Sequence, residues 1–205
     1  MPNHNYKDVK RESFSRIFLT EVQEWAGRID TNTVENLVDR LSALKSRNGR
    51  LFIIGMGGSA ANASHASTDL RKLCNIECYS PSDNQSEITA TANDFGLEHI
   101  YTKSLEFSHF NSNDSLMIFS VGGGDELRKI SLSLIEAVKY AKIFKSEIFS
   151  ILGRRESFIF ENSDICVLLP ESEKMRMTPH SESMQSIIWH LLSCHPKLQV
   201  QPTTW

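Results

Sequence analysis

The feature that most limits what this chain can fold into is a set of four short runs of largely apolar residues. They are Leu51 to Ile54, Ser115 to Ser120, Glu147 to Leu152 and Asp164 to Leu169. A strand with one wet face alternates apolar and polar residues. A run without alternation is a strand buried on both faces, as in a parallel sheet. The first is expected to extend from Arg50 to Gly55, just after the turn signal Asn48-Gly49. Helical patterns separate the runs. Asp125 to Phe144 carries Ile130, Leu132, Leu134, Ile135, Ala137 and Val138 at helical spacing, and a last helix is expected from about His180 to Cys194. Strands alternating with helices predict an α/β fold, a doubly wound parallel sheet flanked by helices. Two more helices precede the first strand. One runs from about Lys10 to Ile29 through Phe14, Ile17, Phe18, Val22, Trp25 and Ala26, the other from Thr31 to Leu44 through Val34, Leu37, Val38 and Leu41, with Asp30 or Thr31 as its cap. The expected organisation is a helical segment over 1–48, an α/β domain over 49–196 and an irregular tail over 197–205.

The composition narrows the partners. With 205 residues the chain is of single-domain size, and Lys+Arg 22 against Asp+Glu 25 leaves a net charge of -3, without the basic footprint of a nucleic-acid binder. No apolar stretch approaches the roughly 20 residues that cross a bilayer, so no membrane partner is expected. The polar N-terminus has no signal-peptide core, which predicts a cytoplasmic protein. The four cysteines, Cys74, Cys78, Cys166 and Cys194, are scattered and read as reduced packing residues.

Ligands of doubly wound sheets bind beyond the carboxyl ends of the strands, so the residues after each run carry the most information. After the first run stands Gly55-Met56-Gly57-Gly58-Ser59, leading directly into a helix. Glycines and free helix-start amides make a phosphate cradle, or equally a tight strand-to-helix turn. Ala60 at the third-glycine position and the lack of a following Gly-Lys-Ser/Thr disfavour dinucleotides and nucleoside triphosphates. After the second run, Ser120-Val121-Gly122-Gly123-Gly124-Asp125 can form an anion nest, but Asp125 is placed to cap the next helix and would compete with an anion. His65 and Asp69, four apart on one helix face, suit metal binding, proton transfer or a plain surface contact. On the last helix Glu182 and His190 lie about 80° and about 12 Å apart. They share one metal only if their side chains converge, and His190 in its apolar surroundings also reads as a buried histidine.

Taken together, Gly57-Gly58-Ser59, His65-x-x-x-Asp69, the Ala92-Asn93-Asp94-Phe95-Gly96 segment, the Ser120 loop and the Thr178 to His190 helix resemble the sugar isomerase (SIS) domain, in its phosphoheptose isomerase branch. The resemblance runs from about Asp30 to His195 and rests on the order and spacing of five motifs. It implies a homotetramer with the N-terminal helices at its interfaces, and conversion of sedoheptulose 7-phosphate to an aldoheptose 7-phosphate. It also implies a zinc site of His65, Asp69, Glu182 and His190, with Asp69 and His190 as the acid/base pair. Substrate contacts carried over are Gly57, Gly58, Ser59, Asn93, Asp94, Ser120, Gly122, Gly123, Gly124 and Asp125. The chain departs from the family pattern in having Asp69 for glutamate, Glu182 for glutamine, and Gly122 and Asp125 in place of loop hydroxyls. Those departures leave two alternatives: a non-catalytic module that binds a phosphosugar or docks a protein partner, and an isomerase of a different ketose phosphate.

Overall fold

The computed structural model describes residues 11–171 and 174–203, the side chains of 11 and 12 excepted. In chain order the elements are α1 (Arg11–Arg28), α2 (Thr31–Ser46), β1 (Leu51–Gly55), α3 (Gly58–Cys74), β2 (Cys78–Tyr79), α4 (Gln85–Phe95), α5 (Ile100–Phe107), β3 (Ser115–Ser120), α6 (Leu132–Ile143), β4 (Glu147–Leu152), α7 (Phe158–Asn162), β5 (Ile165–Leu168) and α8 (Met177–Cys194). All strand pairs are parallel, and the sheet order is β2-β1-β3-β4-β5. The four apolar runs are therefore β1, β3, β4 and β5. The edge strand β2 is too short at two residues to leave a pattern.

Period-two alternation divides the strand side chains between two cores. Leu51, Ile53, Met117, Phe119, Phe149, Ile151 and Val167 pack with Trp25 of α1, with α2, and with α3 and α8. Phe52, Ile54, Leu116, Ile118, Ile148 and Leu152 face the opposite way and pack under α5, α6 and α7. Neither face of the central strands reaches water, which is why the strand sequences do not alternate.

The two N-terminal helices are fastened to the first core. Asp30 caps α2, its Oδ1 accepting from the Asn32 amide at 3.0 Å and its Oδ2 from Thr33 Oγ1 at 2.7 Å. On α1, Glu21 accepts two bonds from the Arg176 guanidinium, 2.8 and 2.7 Å, and its Oε2 lies 2.7 Å from His180 Nε2. His180 is 1% exposed and sits between the rings of Phe18 and Trp25. The Arg176 bonds, joined by His180, hold the Glu21 carboxyl down at about 2. At the other end of the chain Leu198 is buried, and the amides of Val200 and Gln201 donate to the Leu73 carbonyl.

One helix begins later than its periodicity predicts. Residues 125–130 close into a loop in which the Asp125 and Ile130 amides donate to each other's carbonyls at 3.1 and 2.9 Å. Lys129 and Ser131 take positive φ, 56° and 54°, which interrupts helical geometry and delays α6 to Leu132. Asp125 consequently does not cap α6. Its Oδ1 accepts from the Arg128 amide within the loop, and Leu127 stands 97% exposed at the tip. Among the described residues no helix is long and apolar enough to cross a membrane. All four cysteines are free, and burial pushes the Cys74 thiol up to about 11.

Candidate active site

The site is built on α3 and α8, which pack side by side. Between β1 and α3 the chain reverses at Gly57, whose φ of 61° suits glycine. Tyr101 of α5 reaches across beneath this turn and donates its hydroxyl to the Gly55 carbonyl. One turn into α3, Asn62 ties the two helices together. Its Nδ2 donates to the Glu182 carbonyl at 2.9 Å and to Gln185 Oε1 at 3.2 Å, while its Oδ1 accepts from Ser186 Oγ at 2.6 Å and Trp189 Nε1 at 3.3 Å. Neither Asn62 nor Tyr101 stood out in the sequence. The available signal for Asn62 was an amide three residues before His65, on the helix face that must meet a neighbour.

This register brings together His65, Asp69 and His190, whose ligand atoms all lie within 4.8 Å of one another. His65 Nε2 is 3.9 Å from Asp69 Oδ2. His190 is exposed rather than buried in the apolar core; its ring stacks on the buried Trp189 at 3.5 Å and meets the His65 ring edge-on at 5.6 Å. Its Nδ1 lies 2.8 Å from the Ser186 carbonyl, which can only accept. That bond places the proton on Nδ1 and leaves the Nε2 lone pair for a metal or a substrate proton. Two imidazoles and a carboxylate are a donor set that suits zinc, and three protein ligands leave a position open for substrate.

Glu182 stands apart from this group. It lies two turns before His190, so its carboxylate reaches α3 at the first turn, not the third. There it packs so closely on Gly58 that a Cβ on that residue would collide with it. Ser59 beside it is buried, its amide bonded to the Met56 carbonyl at 3.2 Å. A carboxylate at a helix start is favoured by the helix dipole, but it also occupies the place where an anionic ligand would be received.

The remaining expected contacts are spread along the carboxyl edge of the sheet and beyond it. Ser120 ends β3, with its Oγ accepting from the Gly123 amide at 3.0 Å. Gly122 is exposed with open space around its Cα, whereas Gly123 and Gly124 are buried at positive φ. The Asp125 carboxylate is turned into its own loop, 3.6 Å from Arg128 Nε. Asn93 and Asp94 occupy the last turn of α4, exposed and bonded to each other at 2.8 Å. His180 of α8 and His195 just past its end are engaged elsewhere, His180 with Glu21 and His195 with Glu35 at 3.3 Å.

No family model matches the chain. Curated relatives include the phosphoheptose isomerase of Rhodospirillum rubrum, 26% identical over 149 residues that span 70% of this chain and 73% of that one. The phosphoheptose isomerase of Helicobacter pylori strain P12 is 28% identical over 149 residues, 70% and 72% of the two chains. Among solved structures, phosphoheptose isomerase from Neisseria gonorrhoeae superimposes with a TM-score of 0.75 at 20% identity, covering 89% of this chain and 94% of that one. This chain is thus similar in sequence to the phosphoheptose isomerases over 70% of its length and has their α/β fold.

Proposed function

We propose that this protein is an aldose–ketose isomerase that interconverts sedoheptulose 7-phosphate and an aldoheptose 7-phosphate, as a homotetramer. The observation that carries this reading is the convergence of His65, Asp69 and His190 on one open patch of α3 and α8. Isomerisation moves a proton between neighbouring carbons through an enediol, and needs one group at the C–H bond and another at the carbonyl oxygen. Asp69 is the carboxylate for the C–H proton. His190, with Nδ1 tied to Ser186 and Nε2 open, is the group that exchanges a proton at the oxygen. His65, Asp69 and His190 would hold a zinc ion, which when bound polarises the carbonyl. Trp189 fixes the His190 ring by stacking, so little side-chain freedom is lost when substrate arrives.

Assembly into a tetramer is supported by apolar residues left exposed on the two helices next to the site. Ile17 and Leu19 of α1 and Ile187 and Leu191 of α8 are all accessible in the single chain. Light scattering on the purified protein tests the stoichiometry. Incubation with sedoheptulose 7-phosphate, with and without zinc, tests the activity. Formation of an aldoheptose phosphate is expected; none under either condition rejects the assignment. Thermal stabilisation by the sugar phosphate without turnover would instead favour a phosphosugar-binding regulator.

A further inference from the structure

A phosphosugar brings a dianion, and two anion positions the fold provides are already engaged. At the start of α3 the Glu182 carboxylate lies over Gly58 and would repel a second negative group. In the loop after β3, the Gly123 amide is given to Ser120 Oγ and the Asp125 amide to the Ile130 carbonyl. The Asp125 carboxylate adds further negative charge to that loop.

Beyond the carboxyl ends of the adjacent strands β3 and β4 lies a cavity of about 330 Å³, lined among others by Gly122, Gly153, Arg154, Lys174 and Met177. Its two cations, Arg154 and Lys174, are exposed and pair with no carboxylate among the described residues, Glu171 on the same rim included. Arg154 springs from a fixed point. The Gly153 amide donates to the Ser120 carbonyl at 3.2 Å, and a Cβ on Gly153 would come within 2.6 Å of Met177 Cε, 2.7 Å of Ser181 Oγ and 2.8 Å of the Val121 carbonyl oxygen. Ser181 is itself fully buried, and its hydroxyl has no partner among the described residues.

We propose that Arg154 and Lys174 form the phosphate subsite of this chain, holding the phosphomonoester of the sugar in the cavity between the ends of β3 and β4. The inference rests on the phosphosugar reading above. It assigns to two side-chain cations the charge compensation that loop hydroxyls and amides do not supply here. An arginine fork and a lysine ammonium suit a phosphomonoester, the first by paired hydrogen bonds and the second as a point charge.

The test is calorimetric titration of inorganic phosphate into the full chain and into Arg154→Ala, Lys174→Ala and the double variant, each checked for unchanged Tm. Charge-assisted bonds of this kind predict about fivefold weaker phosphate binding in each single variant and about twentyfold or more in the double. KM for sedoheptulose 7-phosphate should rise in parallel. Equal phosphate affinity in wild type and double variant overturns the subsite, as does a wild type that does not bind phosphate. Because this readout needs no turnover, the two readings fail separately. A protein that binds phosphate through Arg154 and Lys174 but converts no sedoheptulose 7-phosphate loses the reaction and keeps the subsite. An active isomerase whose double variant binds phosphate normally loses only the subsite.

Discussion

Replacing Asn62 with alanine should damage the site without touching any group that does chemistry. The side chain makes four hydrogen bonds to α8, at 2.9, 3.2, 2.6 and 3.3 Å. At about 1 kcal/mol net each they amount to about 4 kcal/mol. Ser186 Oγ keeps a second acceptor, the Glu182 carbonyl at 3.4 Å, so about 3 kcal/mol is the expected loss. For a chain of this size that lowers Tm by about 6 to 12 °C. The larger effect should fall on the cluster, because Asn62 is what sets His65 and Asp69 on α3 opposite His190 on α8. A slip of about 1 Å in such an arrangement costs on the order of a hundredfold in rate. Zinc affinity, measured by competition with a chromophoric chelator, should fall together with kcat. Asn62→Asp is the sharper probe: it keeps the acceptor for Ser186 and Trp189 but faces the Glu182 carbonyl and Gln185 Oε1 with an oxygen in place of a donor. If Asn62→Ala loses about 3 kcal/mol of stability yet binds zinc and turns over like wild type, helix register does not organise the cluster.

The Glu21 contact predicts an acid sensitivity of known sign. Its carboxyl is held at about 2 against an ordinary 4.5, so its stabilisation is present above 4.5 and is lost as pH falls toward 2. The shift corresponds to about 3 kcal/mol, discounted to about 2 because the side chain is partly exposed. Urea melts of wild type and Glu21→Gln should therefore converge as pH is lowered, and a gap independent of pH would refute the assignment. His190→Ala should abolish isomerisation with little change in Tm, since the ring is exposed; retained turnover removes His190 from the mechanism. Tyr101→Phe leaves the Gly55 carbonyl without its buried hydroxyl donor and should cost about 1 to 2 kcal/mol in denaturant melts. An unchanged midpoint would mean that the turn does not depend on that bond.

What was legible in the sequence follows from how much of each element is buried. β3 and β4 occupy the segments their apolar runs mark, Ser115–Ser120 and Glu147–Leu152, because burial on both faces makes the interior of each run mostly apolar. β2 leaves no mark in the sequence because two residues at a sheet edge impose no period. α6 starts at Leu132 and not at Asp125: Glu126, Leu127, Arg128, Lys129 and Ile130 fit a helical pattern in sequence, while the positive φ at Lys129 and Ser131 belongs to residue types that do not announce it. At the site, the spacing of His65 and Asp69 on one helix is readable in the sequence, whereas the meeting of that helix with the one carrying His190 comes only from the resemblance to the phosphoheptose isomerases. The position of Glu182 is not readable, since it depends on how two helices lie against each other, and that is decided by Asn62 and by small residues of α3 such as Ala63 and Ala66.

The division of the sheet into two cores places the candidate site on one side. His65, Asp69, Glu182 and His190 all project from the two helices of the face that α1 and α2 also cover, whereas the opposite core under α5, α6 and α7 meets the site through Tyr101, through Ser133 of α6 on Met56, and through the loop after β3. The two halves can therefore drift at different speeds. Substitutions beneath α6 change how firmly the sheet is held without re-aiming an imidazole, and a lineage is free to remodel that half for stability. On the other half, a single altered side chain between α3 and α8 reaches the histidines at once, so new substrate preferences are more readily acquired through the loops at the strand ends than through the helices that carry the His65, Asp69 and His190 cluster.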